Sequence, residues 1–200
     1  MEKQSANMKK AKRRQMASTK AVSPQDILSF WFEEIKPEQW FAQSKDFDAL
    51  IAQRFGDAHA QAVRGELDHW STTPEGALAL IIILDQFSRN LFRSSSKAFA
   101  SDAKAISNAR IAIMAGFDKK LANKAMRQFM YMPFMHSEDL VTQDEGLKLF
   151  ASLNDLETLG YAQHHRDIIA QFGRFPYRNE ILKRTSTPEE VAFSKRTHSG

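Results

Sequence analysis

Helix-start signals recur along the chain and leave little room for other secondary structure. Ser-Pro at 23–24 and Thr-Pro at 73–74 and 187–188 each place a capping hydroxyl before a proline at the first helical position. Glu190 can complete a capping box with the last of these threonines. Between the starts, apolar residues recur at spacings of three and four, and no run alternates as a strand does. The sequence therefore predicts an all-α fold of about eight to ten helices without a sheet.

The longest apolar run, Ala77 to Leu84, leads directly into the polar sequence DQFSRNLFR. We interpret both as one buried central helix, on which Asp85, Arg89 and Arg93 share a face and Asn90 lies on the neighbouring one. Two arginines then face one carboxylate, so one guanidinium is expected to be available for an anion. The alternative is a structural ion pair that fixes the register of the helix.

A second polar group follows a Met- and Phe-rich stretch in FMYMPFMHSEDL. Pro133 predicts a kink or break, after which Ser137 would cap a helix that begins with Glu138 and Asp139. His136 with either acid could act as a general base and its orienting partner, or as metal ligands. No metal-binding spacing such as H-E-x-x-H is present, so we favour a hydrogen-bond network and predict neither metal nor cofactor.

The third polar group is HHRDIIAQFGRFPYRN, residues 164–179. Gly173 is placed to end a helix, and the Phe-Pro-Tyr turn after it is flanked by Arg174 and Arg178. His165 and Asp167 lie on different parts of the helical wheel. The structural alternative for the two histidines is that one is buried in the core and the other exposed.

The amino-acid composition excludes several kinds of chemistry and locates the basic charge. The chain has no cysteine, which excludes thiol catalysis, cysteine-bound zinc and disulfides. Seven basic residues and one acid give residues 1–25 a net charge of +6, which leaves −2 for residues 26–200 of the total of +4. The alkaline character therefore belongs to the N-terminal segment.

These patterns predict a disordered basic tail over residues 1–22, one helical domain over 23–194 and a flexible C-terminus over 195–200. The tail sequence KKAKRR could bind nucleic acid non-specifically or serve as a nuclear address. The alternative is a solvated extension, or translation that starts at Met8 or Met16. No apolar run reaches the roughly 20 residues of a membrane helix, and the start lacks a secretory apolar region, so we expect a soluble, cytoplasmic protein.

Four motifs in order, LDQFSRNLFR, AFASDAKA, FMYMPFMHSEDL and HHRDIIAQFGRFPYRNEIL, resemble the bacterial family known as domain of unknown function 924. The resemblance spans Ser23 to Phe193, with Ser88 where the family has a proline. It implies a compact, tetratricopeptide-like array of antiparallel helix pairs, without a defined activity. The family's characteristic polar positions fall here on Asp85, Gln86, Arg89, Asn90, Arg93, His136, Ser137, Glu138, Asp139, His165, Arg166, Asp167, Arg174, Arg178 and Asn179.

Two functions compete for these residues. The first is a pocket for a small anionic ligand, a phosphate or a carboxylate, bound by Asp85, Arg89, Asn90, Arg93, Arg166, Arg174, Arg178 and Asn179. Candidate acid-base groups in such a pocket are His136, Glu138, Asp139, His165 and Asp167. The second is a tetratricopeptide-like module that binds a peptide or protein and uses the polar motifs as structural networks.

Overall fold

The computed structural model describes residues 21–197, so the predicted basic tail lies outside it except for residues 21 and 22. Within these residues the protein is a compact array of eight helices without strands, as the sequence predicts. The helices are α1 (Pro24–Ser29), α2 (Lys45–Arg64), α3 (Pro74–Ile82, continued by a π-helical turn at Ile83–Phe87 and by Ser88–Leu91), α4 (Asp102–Met114), α5 (Lys124–Met135), α6 (Leu140–Ala151), α7 (Leu156–Phe172) and α8 (Pro188–Thr197).

The predicted helix starts are present. Ser23 Oγ accepts the backbone N–H of Asp26, whose carboxylate accepts the N–H of Ser23 in return. Thr73 Oγ1 accepts the N–H at position 76, and the hydroxyl at position 187 accepts the N–H of Glu190 at 3.2 Å. The Glu190 carboxylate accepts the N–H of residue 187 at 2.8 Å, which completes the predicted capping box.

Helix α3 lies at the centre of the protein, as its apolar sequence predicts. Every residue from 76 to 88 is buried, and the helix packs against α1, α4 and α5. At its C-terminal half, Phe87 contacts Trp31 edge-on, with ring centroids 5.6 Å apart. The polar residues of α3 are therefore held inside the core. No helix in residues 21–197 combines the length and the apolar character that crossing a membrane requires.

Gly76, in the first turn of α3, provides a test of this packing. A Cβ atom there would lie 2.1 Å from the carbonyl oxygen of Trp70, which is backbone and cannot rotate away. We expect Gly76→Ala to lower the free energy of unfolding by about 1–3 kcal/mol, as overpacking does. Gly160→Ala is the control, because a Cβ atom there would have no neighbour within 4 Å apart from the adjacent backbone of its own helix. It should be neutral or stabilising by about 0.5–1 kcal/mol in urea denaturation; equal effects of the two substitutions would contradict this account of α3.

The expected cap of the next helix at Ser137 was wrong, and of the kink or break expected at Pro133 the break is absent. Helix α5 does not break at Pro133 but continues to Met135, with all its residues from 129 onward buried. The burial of this apolar turn offsets the hydrogen bond that proline removes. The cap of α6 is Asp139, whose carboxylate accepts the N–H of Thr142 at 2.8 Å, and not Ser137. Asp139 has the extended backbone that a cap requires, while the Ser137 hydroxyl accepts the Asp139 N–H.

Helix α7 ends at Phe172 and is capped by Gly173, whose φ of +68° is the left-handed conformation predicted for this glycine. The C-terminal segment, which we define as residues 174–197, then packs on the end of α7. Ile168, Ile169 and Phe175 form a small apolar cluster separate from the main core. Because so few apolar side chains hold the segment, its polar contacts carry much of its attachment.

Candidate functional site

Three polar motifs that are far apart in the sequence meet around one buried carboxylate. Asp85 and Arg89 come from α3, His136 follows α5, and Arg178 comes from the turn after α7. Asp102, at the start of α4, completes the group, which we call the Asp85 cluster. The predicted convergence of the motifs is therefore realised for a subset of their residues.

Asp85 is the centre of the cluster and is fully buried. Its carboxylate lies 2.8 and 3.0 Å from Nδ1 of His136 and 3.1 Å from Nη1 of Arg89, and it accepts the amide of Gln86 at 2.5 Å. Burial alone would raise the pKa of Asp85, but Arg89 and His136 lower it to about 2. Asp85 is thus an ionised carboxylate inside the core.

The π-helical turn at Ile83–Phe87 helps to build this arrangement. A π turn widens the helix and changes which backbone carbonyls are used within it. Nη1 of Arg89 donates to the backbone carbonyl of Asp85 at 2.6 Å, while the same side chain pairs with the Asp85 carboxylate. Arg89 is therefore fixed by the helix that carries it.

The surroundings of His136 favour its neutral imidazole form. Burial lowers its pKa, Arg89 lowers it further, and the carboxylate of Asp85 opposes both effects. The neutral ring donates its Nδ1 proton to Asp85, which leaves the lone pair on Nε2. The hydrogen bonds that the ring makes within residues 21–197 all use Nδ1, and the side chain is 14% exposed. A carboxylate-oriented, neutral histidine with an available nitrogen is the arrangement of a general base.

Arg178 and Asp102 form the other side of the cluster. The Arg178 guanidinium lies between the rings of Phe99 and Phe175, 4.5 Å from each centroid. It donates to the backbone carbonyl of His136 at 3.1 Å and lies 3.5 Å from Oδ2 of Asp102. Burial raises the pKa of Asp102, with Arg89 acting in the opposite direction. The environment of Asp102 therefore favours the protonated acid, whereas the environment of Asp85 favours the carboxylate.

Arg93 and Asn90 lie outside the cluster. Both bind Asp48 of α2: Arg93 through two hydrogen bonds of 2.6 and 2.7 Å, and Asn90 through one of 2.9 Å. The expectation that Asp85 is the one carboxylate for both arginines, with one guanidinium left available for an anion, does not hold for Arg93, which is paired with Asp48. Asp48 lies 45 residues before Arg93, so the local pattern of α3 could not reveal it.

The α7 candidates also lie apart from the cluster. Arg166 pairs with Asp144 of α6 at 2.9 Å, and Asp167 accepts the amide of Gln163 at 2.8 Å. His165 is closer to the site, because its ring packs against Phe175 at 5.6 Å, but its Nδ1 bonds to the Tyr161 backbone carbonyl within the same helix. The Arg166–Asp144 pair and the packing of His165 on Phe175 attach α7 to its neighbours, whereas the other two contacts lie within α7.

Glu138 fixes the C-terminal segment to the loop that carries His136. Its carboxylate binds Arg184 at 2.6 and 2.9 Å and accepts the Phe175 N–H at 2.8 Å. Burial would raise the pKa of Glu138, but Arg184 lowers it. Arg184 also donates to Asn179 at 2.9 Å. Arg184 and Asp102 were both missed as candidates: no local pattern marks Arg184, and Asp102 lies in a motif, AFASDAKA, whose position beside the site depends on the fold.

Two further pairs complete the attachment of this segment. Arg174 makes hydrogen bonds of 2.6 and 2.8 Å to Glu190, which Asn179 also contacts at 3.2 Å. Arg174 and Asn179 therefore hold the segment in place, and Arg178 alone among the predicted residues of this segment enters the Asp85 cluster.

The cluster is partly exposed to solvent at two of its side chains. Arg89 and Asp102 are 21% and 22% exposed. Two shallow surface cavities of about 390 and 300 Å³ lie instead on the C-terminal segment, next to Tyr177 and Phe172 respectively. No group of three or more metal-binding side chains occurs in the part of the chain that the structure describes.

Fold and site together define an all-helical protein with a buried Asp-His-Arg cluster. Residues 27–197 match the family described as "Bacterial protein of unknown function (DUF924)", and the chain belongs to this family. It is similar to a solved structure of a protein of unknown function from Agrobacterium tumefaciens, with 42% sequence identity and a TM-score of 0.82. The match covers 86% of this chain and 97% of the other. No curated protein matches the sequence.

Proposed function

We propose that the protein binds a small anionic ligand, a phosphate or a carboxylate, at the Asp85 cluster, with His136 as the acid-base group. The observation that carries this proposal is the 2.8 Å contact between His136 Nδ1 and the buried Asp85, next to the guanidinium groups of Arg89 and Arg178. A buried ion pair alone would need no histidine with an available nitrogen. A general base positioned beside two bidentate donors is what conversion of an anionic substrate requires.

The charge of the cluster supports an anion over a cation. Arg89 and Arg178 are matched by Asp85 and Asp102 when both acids are ionised. The raised pKa of Asp102 makes it the first of the two acids to accept a proton as the pH falls, since Asp85 has a pKa of about 2. Protonation of Asp102 or of His136 leaves a net positive charge. Anion binding should therefore strengthen towards acidic pH.

The second candidate is a tetratricopeptide-like interaction module in which the polar motifs are structural. It is favoured by apolar side chains on α7 that point to solvent, namely Leu156 at 86% and Tyr161 at 59% exposure. Such side chains are the kind that a peptide or protein partner would cover. Either function is compatible with the cytoplasmic location that we propose. Non-specific binding of nucleic acid would involve the KKAKRR segment, outside the described residues.

A thermal-shift screen with phosphorylated metabolites and carboxylates tests the first candidate. A ligand present at about 100 times its Kd stabilises the folded state by about 2.7 kcal/mol, which corresponds to a Tm increase of about 5–10 °C for a domain of this size. We expect Arg89→Gln to abolish the shift. Arg93→Gln is the matched control, because Arg93 pairs with Asp48 away from the cluster. It should keep the shift, measured against its own unliganded Tm.

The two candidates give opposite results in this screen. If no anion stabilises the wild type, or if Arg93→Gln loses the shift as completely as Arg89→Gln, the ligand site is not at the Asp85 cluster. The interaction module would then predict that Arg89→Gln lowers stability but leaves partner binding intact, while substitution of Leu156 and Tyr161 by serine weakens it.

A further inference from the structure

Asp102 is held differently from Asp48, the acid that pairs with Arg93. Its oxygens lie 3.2 and 3.3 Å from Arg89 and 3.5 Å from Arg178. By contrast, Arg93 binds Asp48 at 2.6 and 2.7 Å, with the two parallel hydrogen bonds of a carboxylate-guanidinium fork. Asp102 is thus placed between two guanidinium groups without a close fit to either.

No helix cap holds the side chain of Asp102 in its position. Asp102 is the first residue of α4, and the helix has no side-chain cap, so rotation of the carboxylate breaks no cap. Its Oδ1 atom is buried but accepts no hydrogen bond from residues 21–197, although it lies 3.2 Å from Nη1 of Arg89. A buried acceptor without a hydrogen bond is costly, and that cost favours alternative positions of the side chain.

We propose that Asp102 is an internal substitute for the anionic group of the ligand. Its carboxylate bridges Arg89 and Arg178 at the point where a carboxylate or phosphate of the ligand would bind, and the ligand displaces it. This inference rests on the proposed function and narrows it: the group recognised is a single compact anion that receives hydrogen bonds from both arginines, beside Nε2 of His136. Asp102 thereby tunes affinity, because each ligand must compete with it.

Removal of Asp102 should then create a site that small anions can fill. Asp102→Ala leaves Arg89 and Arg178 without their shared carboxylate, so the Tm should fall. Sodium acetate or inorganic phosphate, titrated at constant ionic strength, should restore the Tm in a saturable manner. In calorimetry, acetate should bind this variant at least about tenfold more tightly than the wild type, which corresponds to ~1.4 kcal/mol. This is a modest expectation, because bringing acetate next to the like-charged Asp102 of the wild type would cost more than that.

Asp48→Ala is the matched control. It deprives Arg93 of its carboxylate at a site with a single guanidinium, so acetate should produce no saturable rescue. Asp102→Asn keeps the size of the side chain and removes the charge. If the alanine variant does not fold, the asparagine variant should still bind acetate more tightly than the wild type.

The result that overturns the inference is an affinity of Asp102→Ala and Asp102→Asn for acetate and phosphate no higher than that of the wild type. If the wild type binds an anionic metabolite through Arg89 and neither Asp102 variant binds more tightly, the inference fails and the proposed function stands. If acetate rescues Asp102→Ala but no metabolite binds the wild type, the anion position is correct and the proposed function fails.

Discussion

Asp85→Ala should lower the free energy of unfolding by about 3–5 kcal/mol, the effect of removing one partner from a buried ion pair. The substitution leaves Arg89 without its closest buried carboxylate and His136 Nδ1 without an acceptor. It also leaves the amide of Gln86 unpaired inside the core. Equilibrium denaturation in urea at neutral pH gives the value directly. Because α3 is central, we expect the whole transition to shift and not a local part of it.

Asp48→Ala is the control for this prediction, because it removes the acid of an ion pair near the surface. Its partner Arg93 is about one third exposed, with a side-chain exposure of 34%, and pairs near the surface contribute about 0–1 kcal/mol. Asp85→Asn separates shape from charge, since the amide keeps an acceptor for His136 but presents a donor to Arg89 or Gln86. A loss below 1 kcal/mol for Asp85→Ala would contradict the central role of this carboxylate.

The same residues determine whether the free energy of unfolding rises or falls as the pH changes. Asp85 has a folded-state pKa of about 2, below its ordinary 3.8, so its stabilisation is present above pH 3.8 and is lost as the pH falls towards 2. The pKa of His136 is also lowered, so folded protein resists protonation of the ring and loses stability as the pH falls below 6.5. The pKa of Asp102 is raised, so protonation of this acid adds to the stability of the folded protein as the pH falls towards 3.8. The steep loss of stability of the wild type below pH 3.8 should therefore be smaller in Asp85→Ala.

The fold was predictable where local chemistry decides it. The capping pairs and Gly173 indicate helix ends correctly because a cap depends on a few adjacent residues. Helix α3 was predictable from an apolar run too continuous for a surface element. The cap of α6 was not, since Ser137 and Asp139 are both good capping residues and their choice depends on how the loop packs.

The site was predictable in its motifs but not in its pairings. Asp85, Arg89, His136 and Arg178 meet because the helices that carry them pack together. The expected excess of arginine came from counting acids only within the motifs, whereas the acids that pair with these arginines include Asp48 and Asp102. Such long-range partners depend on tertiary packing, which no spacing along the chain encodes.

Glu138→Ala should release the C-terminal segment and, through it, disturb the Asp85 cluster. The substitution removes the acceptor of two hydrogen bonds from Arg184 and one from the Phe175 N–H. Hydrogen bonds to a charged group contribute about 1.5–3 kcal/mol, so we expect a local loss of about 2–3 kcal/mol. Amide hydrogen exchange should accelerate at Phe175 and Arg178 by about 30–150-fold if that loss appears as local opening.

The functional consequence follows from the position of Arg178, which reaches the cluster only through this segment. When the segment opens, the guanidinium loses its place between Phe99 and Phe175 and its hydrogen bond to the His136 carbonyl. Ligand affinity should therefore fall in Glu138→Ala although Glu138 lies outside the cluster. Glu180→Ala, an exposed acid of the same segment, is the control and should change neither exchange nor affinity. Fast exchange at Arg178 with unchanged ligand affinity would show that Arg178 does not contribute to binding, and the ligand would then depend on Arg89 and His136 alone.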